Sequence, residues 1–208
     1  MADETATAVD DDAREDSHEH DPEPEPELRY GALVTWMRGQ EVLHPARENA
    51  KDCLKTALDD GFLMCIDITA VDYLTFGERA AAEGGDRPVA RADQIPAPIR
   101  AAKRGLPPSI EPERFEVVYN LLRLDDSSRL RVRVQLPEAD PAIPTVTDLW
   151  FGADAMEREA FDMFGIQFDG HPDMTRILMP EDWVGHPLRK DYSVGAIPVQ
   201  FKGVENAR

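Results

Sequence analysis

Cysteine is nearly absent from this 208-residue chain: Cys53 and Cys65 are the two it has, both in apolar surroundings and neither in a CxxC pair. An iron–sulfur cluster usually takes four thiolates, so the chain cannot ligate one by itself. Long apolar runs are missing too. No stretch nears the ~20 consecutive apolar residues of a membrane-spanning helix, and the N-terminus has neither the basic start nor the apolar core of a secretion signal. A soluble cytoplasmic protein is the expectation. Positive charge is in short supply, with 23 Lys and Arg against 41 Asp and Glu. Phosphate contacts require clustered Lys and Arg, so nucleic acid is set aside as a partner.

Acid is abundant, and it is concentrated at one end. Residues 1 to 29 hold twelve Asp and Glu against two Arg and so carry 10 of the 18 net negative charges. Asp10-Asp11-Asp12 repels itself and the alternation of Pro and Glu from Pro22 to Glu27 forbids helix, which predicts a disordered acidic tail. A docking tail is the competing reading, but like-charge blocks are ordinarily just solvated.

Order is expected from about Tyr30, with an amphipathic turn through Leu33, Val34, Trp36 and Met37 and a brief strand at Val42-Leu43. Pro45 suits the first turn of a helix, and Ala46, Ala50, Cys53, Leu54, Ala57 and Leu58 recur at helical spacing until Gly61 ends the element. Phe62 to Ile68, continued by Val71, Tyr73, Leu74 and Phe76, fits a buried strand with a kink flanked by Asp67 and Asp72. An Asp near a strand end usually serves the backbone N–H groups of a turn, so this pair is not read as catalytic.

Residues 77–112 turn to Gly, Ala, Pro and mixed charge, a surface insertion with a short helical turn around Arg100 to Arg104. Alternation then returns. Phe115, Val117, Tyr119 and Leu121 share one face, as do Leu130, Val132, Val134 and Leu136, and Asp125 to Ser128 supplies the turn of an antiparallel hairpin. The helix of residues 46–60 is the simplest cover for its apolar face. The opposite row, Arg129, Arg131, Arg133 and Gln135, reads as a wet face that could also meet an acidic partner. Thr145 or Thr147 can cap a short helix through Leu149 and Trp150, and Asp154 the next one. The order predicts an α+β fold: a small, mostly antiparallel sheet with helices packed on one face, followed by an extended C-terminal arm. The domain runs from 30 to 164 and the arm from 165 to 208.

The charged helix from Asp154 to Phe164 sets Met156, Ala160, Phe161, Met163 and Phe164 on a wide stripe and leaves Glu157, Arg158, Glu159 and Asp162 for the rest. Arg158 and Asp162 are four apart and can pair, yet an exposed helix pair is worth only about 0.3–0.5 kcal/mol. Gly165 suits the C′ position. Beyond it, Gly and Pro recur from 170 to 203, which leaves no room for a helix or a long strand. Such a run cannot bury its own backbone polar groups and must lie across the domain or across another protein. A metal at His171, His186, Asp169, Asp173 and Asp191 is the sharp alternative, but the spacing matches no short zinc motif. Hydrogen bonds from the imidazoles to otherwise orphaned backbone explain them as well.

Several of these residues form a dense pattern over about 36 positions: Glu157-Arg158-Glu159 with Asp162, Phe164-Gly165-Ile166, Gly170-His171-Pro172, Arg176-Ile177-Leu178, and Trp183 with Gly185 to Tyr192. It closely resembles the signature of the 30 kDa subunit of respiratory complex I, the proton-pumping NADH:quinone oxidoreductase. The resemblance implies a non-catalytic structural subunit of the hydrophilic arm on the cytoplasmic face of the bacterial membrane. It implies no cofactor in this chain, with FMN and iron–sulfur clusters on other subunits. Its partners would be the 49 kDa subunit and the cluster-carrying subunits.

On that resemblance, Glu157, Arg158, Glu159 and Asp162 form a charge network at a subunit contact. Arg176, Arg189 and Lys190 pair with carboxylates on the partner or the domain, Trp183 and Tyr192 are aromatic anchors, and His171, His186 and Asp191 complete the contact. The acidic tail and the 77–112 insertion are extra to the family core. Two other classes stand beside this one: a metal-dependent hydrolase using His171 and His186, and an acidic adaptor whose tail does the work.

Overall fold

A computed structural model describes residues 26–74 and 96–193. In chain order the elements are β1 (Leu28–Arg29), β2 (Ala32–Met37), β3 (Gln40–His44), α1 (Ala50–Asp59), β4 (Met64–Asp72), α2 (Ala97–Arg104), β5 (Phe115–Leu122), β6 (Arg129–Leu136), β7 (Ala142–Pro144), α3 (Ala153–Phe164) and β8 (Gln167–Asp169). Six strands form one sheet in the order β1-β2-β3-β6-β5-β4, and β7 pairs with β8. Within the large sheet every pairing is antiparallel except that of β3 with β6. The expected α+β class and mostly antiparallel sheet are both present.

The hairpin of β5 and β6 runs in register from Phe115 opposite Leu136 to Leu122 opposite Arg129. Its alternating apolar side chains are fully buried, and α1 lays Ala50, Cys53, Leu54 and Ala57 into the same cluster. From the other end of the sheet α3 adds Ala153 and Ala160. β4 bends at a register shift between Cys65 and Asp67, which turns Ile66 out to solvent, whereas the stretch from Asp67 to Asp72, where the kink was expected, pairs with β5 without interruption. Of the tail, insertion and arm, residues 1–25, 75–95 and 194–208 lie outside the described residues.

Three further expectations need correction. Residues 33–37 are not a turn but strand β2, paired with β3 from Leu33–His44 to Met37–Gln40. Arg38 and Gly39, at φ of 53° and 78°, form the two-residue left-handed turn that matches strand twist. Arginine in the first place of that turn gives none of the usual Asn-Gly signal. Thr145 and Thr147 cap no helix, since residues 147–149 make only a turn closed by Leu149 and Trp150 N–H groups on the Val146 carbonyl. Asp154 is not a cap either: α3 starts at Ala153, and Asp154 sits inside its first turn, where its charge suits the helix dipole.

The arginine row is the third. Arg129 and Arg131 reach solvent, but Arg133 is buried in a bidentate pair with Glu116, at 2.8 and 2.9 Å. Gln135 donates to the same carboxylate, and Arg133 also donates to the Arg104 carbonyl at the end of α2. The Arg104 guanidinium lies 3.7 Å over the Tyr73 ring, and Ala101, Arg104 and Leu106 are buried. Part of the insertion therefore folds down on the second face of the sheet. Glu116 is the reason, because a buried carboxylate draws in every donor within reach.

Glu116→Ala strands a buried guanidinium and is expected to lower unfolding stability by about 3–5 kcal/mol, whereas Glu116→Leu with Arg133→Met restores most of the loss. Urea unfolding of the single and double variants measures both.

Candidate docking site at the end of α3

Helix α3 ends where Gly165 turns left-handed (φ 74°) and returns its N–H to Phe161. A Cβ there would also sit 2.6 Å from the His186 ring, so glycine answers two demands at once. The last four carbonyls of any helix lack partners inside it. Here the broken run supplies them. Asp162 O takes the His186 Nδ1–H at 2.9 Å, Met163 O takes Leu188 N–H at 3.0 Å and Phe164 O takes Arg189 Nε–H, while Phe161 O is the acceptor for Gly165. Arg176 and Arg189 bring positive charge to the helix end that favours it.

Asp162 is the centre of this arrangement. Its side chain is fully buried, and Oδ2 accepts three consecutive backbone N–H groups, from Ile177, Leu178 and Met179, at 2.8 to 3.1 Å. Oδ1 takes Arg176, which also donates to Gly185 O. Burial opposes ionisation, but the three N–H groups and Arg176 outweigh it and hold the carboxyl below the usual range. Burial, helped by Arg189 and Arg176, holds the His186 imidazole below its usual value.

Glu157 lies five residues back on the same helix and faces the other way. It is fully buried, accepting the Thr145 hydroxyl and the Val146 N–H at 2.8 Å, with His171 Nε2 at 3.9 Å. Burial raises its pKa, and these neighbours pull the other way without winning. His171 Nδ1 accepts the Asp173 N–H, so its other nitrogen carries the proton when the ring is neutral.

A second anchor holds the arm further along. Asp72, buried at the end of β4, accepts Arg114 through both oxygens, the Leu74 N–H and the Lys190 N–H at 2.9 Å. Arg114 reaches Asp191 at 2.8 Å. Burial opposes the Asp72 charge, and Arg114 and the two N–H groups still hold its carboxyl low. Tyr192 packs over Gly185, where a Cβ would meet the ring at 2.9 Å. Trp183 is half-buried, and its indole N–H has no partner among the described residues.

The predicted charge set on α3 thus does not act as one network. Arg158 bonds Thr175 and lies 3.8 Å from Asp154, not against Asp162, because Asp162 points into the N–H groups of the arm. Glu159 is exposed and has no partner among the described residues. Asp162, Arg176, His186 and Arg189 come together; Glu157 stands apart, with His171 Nε2 between it at 3.9 Å and Asp154 at 3.5 Å; the Lys190 backbone N–H goes to Asp72 and the Asp191 carboxylate to Arg114. Arg189 binds carbonyls, where carboxylates were expected. Asp72 serves a turn through Leu74, as its place near a strand end implies, but nothing local reveals its hold on the arm or the parts of Arg114 and Thr145. Arg114 lies 42 residues from Asp72 in sequence, so no short pattern announces the pair. Among the described residues no three His, Cys, Asp or Glu side chains are grouped to hold a metal.

The family described as respiratory-chain NADH dehydrogenase, 30 Kd subunit, matches residues 43–197. This chain belongs to that family. Subunit 5 of the NADH-quinone oxidoreductase of Thermus thermophilus is 42% identical over 161 residues, 75% of this chain and 63% of the relative, so the chain spans less than two thirds of that protein's length. A NADH-quinone oxidoreductase subunit of Citrifermentans bemidjiense is 40% identical over 159 residues, 76% of this chain and 77% of its own. Among solved structures, a trypsin-resistant fragment of Nqo5 superposes with a TM-score of 0.50 at 36% identity, covering 69% of this chain and 89% of the fragment. A chain of an archaeal membrane-bound sulfane sulfur reductase shares the fold, with a TM-score of 0.56, 21% identity and coverage of 85% and 90%.

The two buried carboxylates of α3 should respond to pH with opposite signs. Asp162 has a lowered folded pKa, so its stabilisation is complete above the ordinary carboxylate range of about 4 and is lost as pH falls through the lowered value. Glu157 has a raised folded pKa, so its contribution is complete below that range and is lost as pH rises through the raised value. At about pH 7, Asp162→Asn is expected to cost about 3–5 kcal/mol, while Glu157→Gln is close to neutral or stabilising. Urea midpoints measured across the acid range check both signs.

Proposed function

We propose that this chain is a non-catalytic structural and assembly subunit of the hydrophilic arm of a proton-pumping NADH:quinone oxidoreductase. It supports electron transfer from NADH to quinone without holding a redox group. Its partners are the 49 kDa subunit and the cluster-carrying subunits, which bear the iron–sulfur clusters and, elsewhere in the complex, FMN. It sits peripherally on the cytoplasmic face of the membrane, and attachment comes through the complex. Family membership supports this reading, as does the division of labour within the arm.

One observation carries the proposal. The arm spends Arg176, His186, Arg189 and the Lys190 N–H internally, on α3 and Asp72, and turns Ile177, Leu178, Val184 and Leu188 outward, with Val184 86% exposed. Exposed apolar side chains on a rigid, hydrogen-bonded frame are what a docking surface requires. Glu159 supplies a charge on the outer side of α3. The cysteines fit the same picture. Cys53 and Cys65 are free, and burial pushes both thiols up to about 12, far from the thiolate form that binds a cluster. Among the described residues no helix is long and apolar enough to cross a membrane.

Val184→Glu is expected to leave the chain's own unfolding transition unchanged and to reduce recovery of co-purifying subunits from mild-detergent extracts. Loss of one central anchor is worth about 2 kcal/mol or more, roughly 30-fold in affinity. Glu159→Lys tests the charged side in the same way. Normal recovery of the complex with both variants would count against the docking role.

A further inference from the structure

Most of the arginines among the described residues are occupied. Arg29, Arg47, Arg114, Arg123, Arg133 and Arg176 each hold a carboxylate. Arg158 lies 3.8 Å from Asp154, Arg104 and Arg189 donate to backbone carbonyls, and Arg100, within α2, keeps a buried Nε without a partner among the described residues. Arg38, Arg129 and Arg131 gather at one end of the sheet. The Arg38 and Arg129 side chains are exposed and make no hydrogen bond or ion pair among the described residues, and the Arg131 side chain meets only that of Asn120, at 3.0 Å. Arg129 and Arg131 line a cavity of about 270 Å³ with Gln40, Asn120, Ile66 and Asp67. Asp67 is the carboxylate in that lining, against two guanidinium groups. The nearby Asp60 and Asp126 are already held by Arg29 and Arg123. Clustered guanidinium groups left unpaired in a chain of net charge −18 make a surface for an acidic ligand.

Charge and the direction of β1 both name the chain's own acidic segment as the occupant. β1 runs antiparallel to β2, with Leu28 opposite Leu33 and the Val34 N–H on the Glu27 carbonyl. The direction of β1 is such that the same register, if continued ahead of residue 26, would lead past Thr35, Trp36 and Met37 to Arg38. Because β3 and β6 are parallel, with Glu41 opposite Leu130, Arg129 lies at the same end. From β1 to β6 is three strand spacings, about 14 Å, a distance that five extended residues at ~3.3 Å each cover. Residues 1–25 contain eleven Asp and Glu against one Arg. Tethering gives such a segment a local concentration of order mM.

We propose that residues 1–25 dock in cis on the guanidinium surface formed by Arg38, Arg129 and Arg131, so that the chain covers its own basic face with its own acid. The occupant is an extended acidic peptide, held by charge and therefore released by salt.

A nitroxide on Ser17→Cys in the full chain tests this by paramagnetic broadening of backbone amide signals, with the labelled parent chain as blank for Cys53 and Cys65. At about 0.01 M salt, where charges act over ~30 Å, the amides of Gln40, Asn120 and Arg129 should lose about half their intensity or more. At about 1 M salt, where the range falls to ~3 Å, intensity should return. It should also return at low salt in Arg129→Gln/Arg131→Gln, whose remaining amide shifts report an intact fold. Unbroadened amides at low salt, or broadening that survives the double substitution, overturn the proposal. So does broadening seen only between labelled and unlabelled chains in a mixture, which assigns the face to the segment of a second copy.

Discussion

A single carboxylate organises the C-terminal third of this protein. Asp162 gathers three successive N–H groups and one guanidinium, and each of those donors belongs to a segment with no secondary structure of its own. A Gly- and Pro-broken chain gains no helix or sheet ladder to satisfy its backbone. It obtains an equivalent here by folding around a buried anion, much as loops of consecutive N–H groups enclose phosphate. The exchange is reciprocal, since the same segment returns donors to the carbonyls at the end of α3.

The two carboxylates of α3 show how one helix can serve two surfaces. Five residues at 100° each place Glu157 and Asp162 well apart around the axis. Glu157 looks back toward the segment after β7 and ties the helix to the domain with neutral donors. Asp162 looks toward the arm and ties it down with charge. The difference in donors explains the opposite shifts in their titration, although both side chains are fully buried. What remains for other proteins is the outer side of the same structure: Glu159 and the apolar side chains of the arm.

Much of the fold was legible in the chain, and the reasons are local. The period-two alternation from Phe115 to Leu136, the helical spacing from Ala50 to Ala57 and the glycine at 165 each express a rule that acts over a few residues. β2 escaped because its turn is built by Arg38-Gly39, where only the glycine is conspicuous. The role of Arg133 escaped because exposure cannot be read from alternation once both faces of a sheet are covered. At the candidate site, the pattern from Glu157 to Tyr192 marked the right residues but not their grouping. Asp162 with Arg176 is a pairing across 14 residues and Asp72 with Lys190 across 118, and only the folded chain brings them together.

The parallel junction of β3 with β6 carries a consequence for how the protein is made. Glu41 must find Leu130, so the sheet stays in two parts until β6 has been synthesised. At ~5–20 residues per second that interval lasts roughly 5–20 s. Meanwhile the hairpin of β2 and β3 offers an unpaired edge bearing Val42 and Leu43, both fully buried once the sheet closes. An open apolar edge of this kind invites wrong partners. The nascent chain is thus most vulnerable before its most recognisable sequence has emerged, and the later hairpin of β5 and β6 ends that exposure by closing the sheet.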